Sequence, residues 1–368
     1  MSRRQGGVKA AAVAEMLAPV EKGEPLLQVR DMRVSAKSRK GDYDLIHGIG
    51  FDVMAGEILG VVGESGCGKS LTMSAVMGLL AQNLCVTDGK IVFRGLDLRE
   101  ASEPVMEQLR GGDLSMVFQD PMTALDPLYT IGSQMLETIE KHSELRGDAA
   151  REMAVDYLRR VGLSEPEKRL GQYPFELSGG MRQRVVIAMA LCCAPSLLIC
   201  DEPTTALDVT IQAKVLDLVR DLHDELGNSV VFISHNMGVI AMLCDRVAVM
   251  YGGHVVERGT VDEIFYETAH PYTKGLLACM PTLDGARDEP LVPIRGMVPD
   301  PRVASAGCPF APRCEKRMKV CMREMPPELD LGGQHSCACW RCVSEGISDK
   351  PLEVPAVNGA TAKEAAND

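Results

Sequence analysis

The residues best equipped for chemistry come early, where Val61 to Ser70 read Val-Val-Gly-Glu-Ser-Gly-Cys-Gly-Lys-Ser. Gly63, four residues and then Gly68-Lys69-Ser70 is the spacing of a phosphate-binding loop. Gly63, Gly66 and Gly68 let the backbone turn tightly and aim N–H groups inward; Lys69 adds a positive charge and Ser70 offers a hydroxyl to Mg²⁺. With Glu64, Ser65, Cys67 and Leu71 these residues form a cradle for a nucleoside triphosphate.

Three further groups carry suitable chemistry. Asp201 and Glu202 close the apolar run Leu197 to Cys200. An aspartate there can hold Mg²⁺ through water while the adjacent glutamate polarises an attacking water. Gln119 and His235 end two other apolar runs, Leu114 to Phe118 and Val230 to Ser234. Ser178-Gly179-Gly180 opens a helix, with Ser178 as its N-cap and exposed N–H groups at the positive end of the helix dipole. The chain thus carries two helix starts built for phosphate. If one nucleotide binds between such starts, the second must come from another subunit.

Four buried-type strands have to hold these groups: Glu57 to Val62 ahead of the loop, and the three runs ending at Gln119, Asp201 and His235. Each delivers its polar residue at its carboxyl end, the edge where open α/β sheets bind ligands. A helix from Lys69 to Leu80 is expected to point its N-terminus at the phosphates. Strands near Leu26 to Val34, Ile46 to Met54 and Lys90 to Arg94 read as a separate β region. Gly132 to His142 and Ala149 to Val161 read as helices inserted between motifs. Arg246 to Met250 and His254 to Glu257 read as a hairpin, and Val261 to Tyr266 as a helix closing the main domain. Prolines 271, 281, 290 and 293 mark a loop-rich region beyond it.

The chain has 368 residues, is 46% hydrophobic and carries a net charge of −12, which argues against nucleic acid as its principal partner. The longest nearly apolar run, Val185 to Cys200, is broken by Pro195 and falls short of the roughly 20 residues a helical membrane span needs. Met1 to Glu24 lacks the continuous apolar core of a signal peptide, so the expected compartment is the cytosol. Of the 13 cysteines, six lie between Cys308 and Cys342. In a reducing compartment that cluster points to metal before disulfides. The spacing of Cys308, Cys314, Cys321 and Cys339 differs from the short knuckles usual for zinc, and four thiolates can hold a [4Fe–4S] cluster. Zinc and unligated thiols remain the alternatives, with Cys337 or Cys342 able to replace Cys339.

Gly63 to Ser70, Gln119, Leu177 to Gly180, Asp201-Glu202, Thr205-Ala206-Leu207-Asp208 and His235 together resemble, in order, the motifs of the ATP-binding subunits of ABC transporters. The resemblance spans roughly residues 25 to 265. It implies an α/β fold: a P-loop NTPase core of the ABC ATPase type, with an antiparallel β subdomain, a helical insertion and a loop-rich, Cys-containing C-terminal region. The expected division is a flexible leader 1–24, an ATP-binding domain 25–266 with a helical subdomain about 120–180, a C-terminal region 267–345 and a disordered tail 346–368.

By the same resemblance Gly63 to Leu71 would bind ATP, and Ser70, Gln119 and Asp201 would hold Mg²⁺. Glu202 would act as general base or water positioner, Lys69 and Gln119 would contact the phosphates, and His235 would orient the γ-phosphate. Ser178, Gly179, Gly180 and Asp208 would complete the nucleotide site. The family often stacks an aromatic residue on adenine, yet Val34-Ser35-Ala36 offers none and Tyr43 is the substitute. Gln119 to Pro127, His270 to Leu277 and Gly307 to Cys314 are similar to stretches of oligopeptide and dipeptide importer ATPases, relatives of which handle nickel and carry a cysteine set associated with an iron–sulfur cluster. The function implied is ATP hydrolysis energising peptide import at the cytoplasmic face of the cell membrane. The implied partners are a second ATPase chain, in the family more often a different one than a second copy, two transmembrane permeases and an extracytoplasmic solute-binding protein. An importer of nickel or another small solute, or a non-transport ABC ATPase, is the alternative. A long heptad insertion or a tandem second cassette, as non-transport relatives would need, is not in the sequence.

Overall fold

The structure, a computed structural model, describes residues 13–39, 41–120, 124–204, 209–280, 293–302 and 306–343. Most of the leader, Thr205 to Asp208 and the expected tail therefore lie outside the described residues.

Two sheets pack on one another. The smaller joins β1 (Pro25–Ala36), β2 (Tyr43–Met54), β4 (Leu84–Phe93) and β5 (Leu96–Asp97) in the order β2-β1-β4-β5. Its β1 pairs are antiparallel on both sides. The larger sheet has eight strands. β3 (Ile58–Val62), β6 (Leu114–Val117), β7 (Leu197–Asp201), β8 (Ser229–Ser234) and β9 (Arg246–Tyr251) form its parallel block, in the order β9-β3-β8-β7-β6. All five residues of β3 and all six of β8 are buried, as expected of parallel strands covered on both faces. One apolar core, with Leu27, Met32, Ile46, Phe93 and Ile199, fills the space between the sheets.

Helices cover the other face. α1 (Lys69–Val76) follows the glycine loop and stops short of the expected Leu80, ending at Met77 and Gly78, whose φ is +63°. α2 (Glu103–Leu109) precedes β6. α3 (Ile131–His142) and α4 (Gly147–Arg160) make the insertion, packing Ile131, Met135, Ile139, Ala150, Ala154 and Leu158 into the second core. Their apolar residues recur at three and four spacing, which sets one face of each helix inward. α5 (Gly179–Leu191), α6 (Val209–Leu226) and α7 (Met237–Leu243) lie between the later strands.

The chain past β9 departs from the sequence reading. β10 (His254–Thr260) forms the expected hairpin with β9, and α8 (Val261–Tyr266) follows with Thr260 and Glu263 in a reciprocal capping box. The sheet does not end there. β12 (His335–Cys337) pairs with β10, and β11 (Leu329–Gly332) pairs with β12, so the C-terminal region adds the last two strands. His335 Nε2 lies 2.9 Å from Glu257 Oε1, joining β12 to β10 across 78 residues of chain. Pro271–Ala278 is a helix, α9, where the prolines predict loop; Pro271 takes its first turn, where a missing N–H costs nothing.

Candidate active site

The glycine loop leaves β3 and enters α1. Gly63 has φ +154° and its Cα approaches the Met250 carbonyl and the Cys67 Sγ, so an added Cβ would collide with both. Gly68, at φ +106°, caps α1 without any side-chain cap bond, leaving its first N–H groups for a ligand. Lys69 is 4% exposed, and its Nζ donates to the carbonyls of Gly63 (2.8 Å) and Glu64 (3.1 Å). Ser70 Oγ donates to Asp201 Oδ1 at 2.8 Å, which joins loop and β7 at the point where a hydroxyl and a carboxylate would share Mg²⁺. Burial pushes the Asp201 carboxyl up, against the Ser70 hydrogen bond. Burial likewise pushes the Cys67 thiol up, so it is a packing group beside Lys69.

Glu202 is the convergence point. Its Oε1 lies 4.0 Å from Lys69 Nζ, while Oε2 accepts from Gln119 Nε2 at 3.2 Å and sits 3.3 Å from His235 Nδ1. Its φ is +46°, a left-handed conformation that costs a non-glycine residue about 1 kcal/mol or more. Nothing in the sequence around Glu202 signals that strain. A cavity of about 680 Å³ is lined by Ser65, Gly66, Gly68, Lys69, Ser70, Leu71, Gln119 and Glu202 on this side.

Its opposite wall was not anticipated. His47 and His254 stack at 4.6 Å between ring centres, and Val298 to Pro301, Pro309 and Met325 come from the C-terminal region. Tyr43 is half-buried, pairs with Ala36 and is not among the lining residues. Ala36 is buried and supplies no ring. The sequence holds both histidines, but they are 207 positions apart and only the close approach of β2 to the β9–β10 turn joins them. Burial lowers both, His254 to about 3, so both imidazoles are neutral at pH 7.

Ser178, Gly179 and Gly180 stand outside this cavity. Ser178 caps α5 by accepting from the Met181 N–H, and Arg182 Nε holds the turn on the carbonyls of Pro174 (2.8 Å) and Leu177 (3.0 Å). Ser178 and Gly179 are exposed, and an added Cβ at Gly179 would meet open space. Asp208 lies outside the described residues.

Cys308, Cys314, Cys321 and Cys339 converge. All four are 8–9% exposed and line one apolar pocket with His270, Phe310 and Trp340. Cys337 and Cys342 do not line it, which singles out Cys339 among the three late candidates. Burial pushes Cys308 up to about 12 and raises Cys314, whereas hydrogen bonds from Cys337 and Cys342 favour the Cys339 thiolate. Among the described residues, no group of three or more His, Cys, Asp or Glu is arranged to hold a metal ion, so neither the iron–sulfur expectation nor the zinc alternative finds an assembled site there.

A phosphate loop on β3, carboxylates on β7 and a capped helix start left open beyond the cavity are the layout of an ATP-binding-cassette ATPase. Residues 46–205 match the ABC transporter family and residues 256–321 match the oligopeptide/dipeptide transporter C-terminal region. The dipeptide transport ATP-binding protein DppD of Bacillus subtilis is 48% identical over 318 residues, 86% of this chain and 95% of that protein. The oligopeptide transport ATP-binding protein OppD of the same organism is 48% identical over 329 residues, 89% of this chain and 92% of that one. Among solved structures, the ATP-binding cassette MJ0796, a dimer in a post-hydrolysis state with ADP and Pi, is similar with a TM-score of 0.58 and 25% identity, over 64% of this chain and 98% of that one. The chain belongs to the family of ABC transporter ATP-binding subunits, and it is an ATPase. No helix among the described residues is long and apolar enough to cross a membrane.

Proposed function

We propose that this ATPase energises peptide import across the cytoplasmic membrane, bound to its inner face through two permease subunits. The observation that carries the peptide reading is the match of residues 256–321, a region found beyond the cassette itself. Leu128, Tyr129, Phe175 and Phe118 are exposed apolar side chains and would be available for permease contact. A solute-binding protein outside the membrane would hand over the peptide. The working division is a cassette of about residues 25–266 and a C-terminal region of 267–345 that shares its sheet.

Two cassettes would face head to tail, with a second, different chain as partner. Lys69 and backbone N–H groups of the glycine loop would bind the phosphates of ATP, the Glu64 N–H excepted because it donates to the Tyr272 hydroxyl, with Ser178 to Gly180 and Asp208 closing over the partner's nucleotide. Ser70, Asp201 and Gln119 would hold Mg²⁺, which supplies charge neutralisation when bound. In hydrolysis the water oxygen bonds to the γ-phosphorus as the bond to the β–γ bridging oxygen breaks. Glu202 positions that water and takes its proton, and His235 and Gln119 hold Glu202 in place. The hydrogen bonds already made to Glu202 support these roles.

The thiol pocket is best read as the seat of a [4Fe–4S] cluster. Four cysteines share one cavity, one of them favoured as thiolate, and a cube of four irons spaces its ligands more widely than a single ion does. Its role there would be structural.

The test is reconstitution with the permease subunits. Wild-type protein should hydrolyse ATP faster when peptide-loaded binding protein is added, while Glu202→Gln should retain ATP and lose about 100-fold or more of turnover and all uptake. Stimulation by nickel or another solute but not by peptide would overturn the substrate; undiminished turnover would remove Glu202 from its role.

A further inference from the structure

The phosphate loop is braced from the cysteine region. Arg313, which directly precedes Cys314, reaches across 249 positions to Glu64, the second residue of the loop. Its Nη2 donates to Glu64 Oε1 at 2.9 Å and its Nη1 to Oε2, a two-pronged pair whose guanidinium side chain is 4% exposed. The fork is itself fixed: Nε donates to the Arg295 carbonyl (3.0 Å), Nη2 to the Ile294 carbonyl (3.1 Å) and Nη1 to the Tyr251 hydroxyl (3.3 Å). The Glu64 backbone is held as well, since its N–H donates to the Tyr272 hydroxyl at 2.8 Å. Tyr272 is fully buried and packs against Tyr251 and Phe310, and Phe310 also lines the thiol pocket.

Neither Arg313 nor Glu64 lines the nucleotide cavity. The Glu64 carbonyl, however, accepts from Lys69 Nζ, so a contact path runs Arg313, Glu64, Lys69. We propose that Arg313 is a positioning residue for ATP binding: through Glu64 it holds the phosphate loop in its binding-competent shape and makes nucleotide affinity depend on the folded state of the cysteine region. A loop that is competent only part of the time binds with its affinity multiplied by that fraction, so its Kd rises by the inverse, whereas nucleotide at saturation restores the shape. The effect therefore falls on the KM for ATP and leaves kcat comparatively untouched. By reciprocity, nucleotide must stabilise the cysteine region to the same degree.

The experiment uses the full chain as purified. Arg313→Met should raise the KM for ATP and the Kd for a non-hydrolysable ATP analogue with Mg²⁺ about ten-fold, with kcat within about two-fold. Glu64→Gln leaves the other Arg313 bonds in place and carries the same test should Arg313→Met fail to fold. The double variant should be no weaker than the worse single one, because both remove one interaction. Amide exchange across residues 308–321 should slow on adding the analogue in wild-type protein and not in Glu64→Gln. Unchanged affinity in a folded variant, additive losses, or equal exchange protection in Glu64→Gln would each overturn the proposal.

Discussion

The nucleotide cradle and the thiol pocket differ in size and in polarity. The cradle is open and polar, and its side chains satisfy one another across the ends of β3, β6, β7 and β8: Lys69 on carbonyls, Ser70 on Asp201, Gln119 and His235 on Glu202. The thiol pocket is small and apolar, assembled from turns at residues 308–321, the start of α9 and the segment after β12. A cradle whose charges are held by weak, exchangeable bonds can hand them to a ligand and take them back each cycle. A pocket of buried thiols with the proposed structural role would gain nothing from turnover and would serve by fixing the chain around it. Arg313, next to Cys314 in the chain, and Glu64, in the phosphate loop, form a bridge between the two regions.

The sharpest way to separate them is to break one alone. Lys69→Ala should cost about 3 to 4 kcal/mol of transition-state stabilisation, in line with the loss of one preorganised oxyanion donor, while leaving iron content unchanged. Phosphate release and iron assay on the same preparation check both halves, and normal hydrolysis would count against the whole cradle. Smaller in effect on turnover is the converse. Wild-type protein purified without oxygen should be brown and hold about four irons per chain. Cys339→Ser should lose that iron and Cys337→Ser should keep it, because of these two Cys339 alone lines the pocket. The opposite ranking would move the fourth ligand, and colourless wild-type protein would end the cluster reading.

The smallest effect is one of pH. Burial depresses His47, His254 and His270 in the folded chain, with His254 at about 3. A histidine whose folded pKa lies below its unfolded value leaves the extra proton on the unfolded chain. Stability is then complete above the unfolded pKa, about 6.5, and falls as pH drops through the window toward about 3. Melting temperature should decline between pH 7 and pH 5, and His254→Asn should flatten that slope; a slope unchanged by the substitution would assign it to other groups.

How much was legible differs between the two regions for a physical reason. In the parallel block, period and burial alone place each strand, and the carboxyl end of each strand is then a fixed address, so Gln119, Asp201, Glu202 and His235 could be read as neighbours from their positions after apolar runs. The C-terminal region has no such period. α9 was hidden by its initial proline, and the three-residue β12 is too short to show alternation, so the growth of the sheet past β10 was invisible. The cysteines were legible as a set but not as a site, since spacing does not say which of three late thiols turns inward.

The glycine loop, the carboxylate pair, the capped helix start and the apolar strands that carry them are legible from the sequence alone, because each is a local pattern; the order of the strands in the sheet is not. Only the tertiary structure decided what depends on long-range closure. It stacked His47 on His254, turned Glu202 into a left-handed conformation and set Arg313 against Glu64. Those contacts join segments that chain entropy keeps apart until both cores have formed.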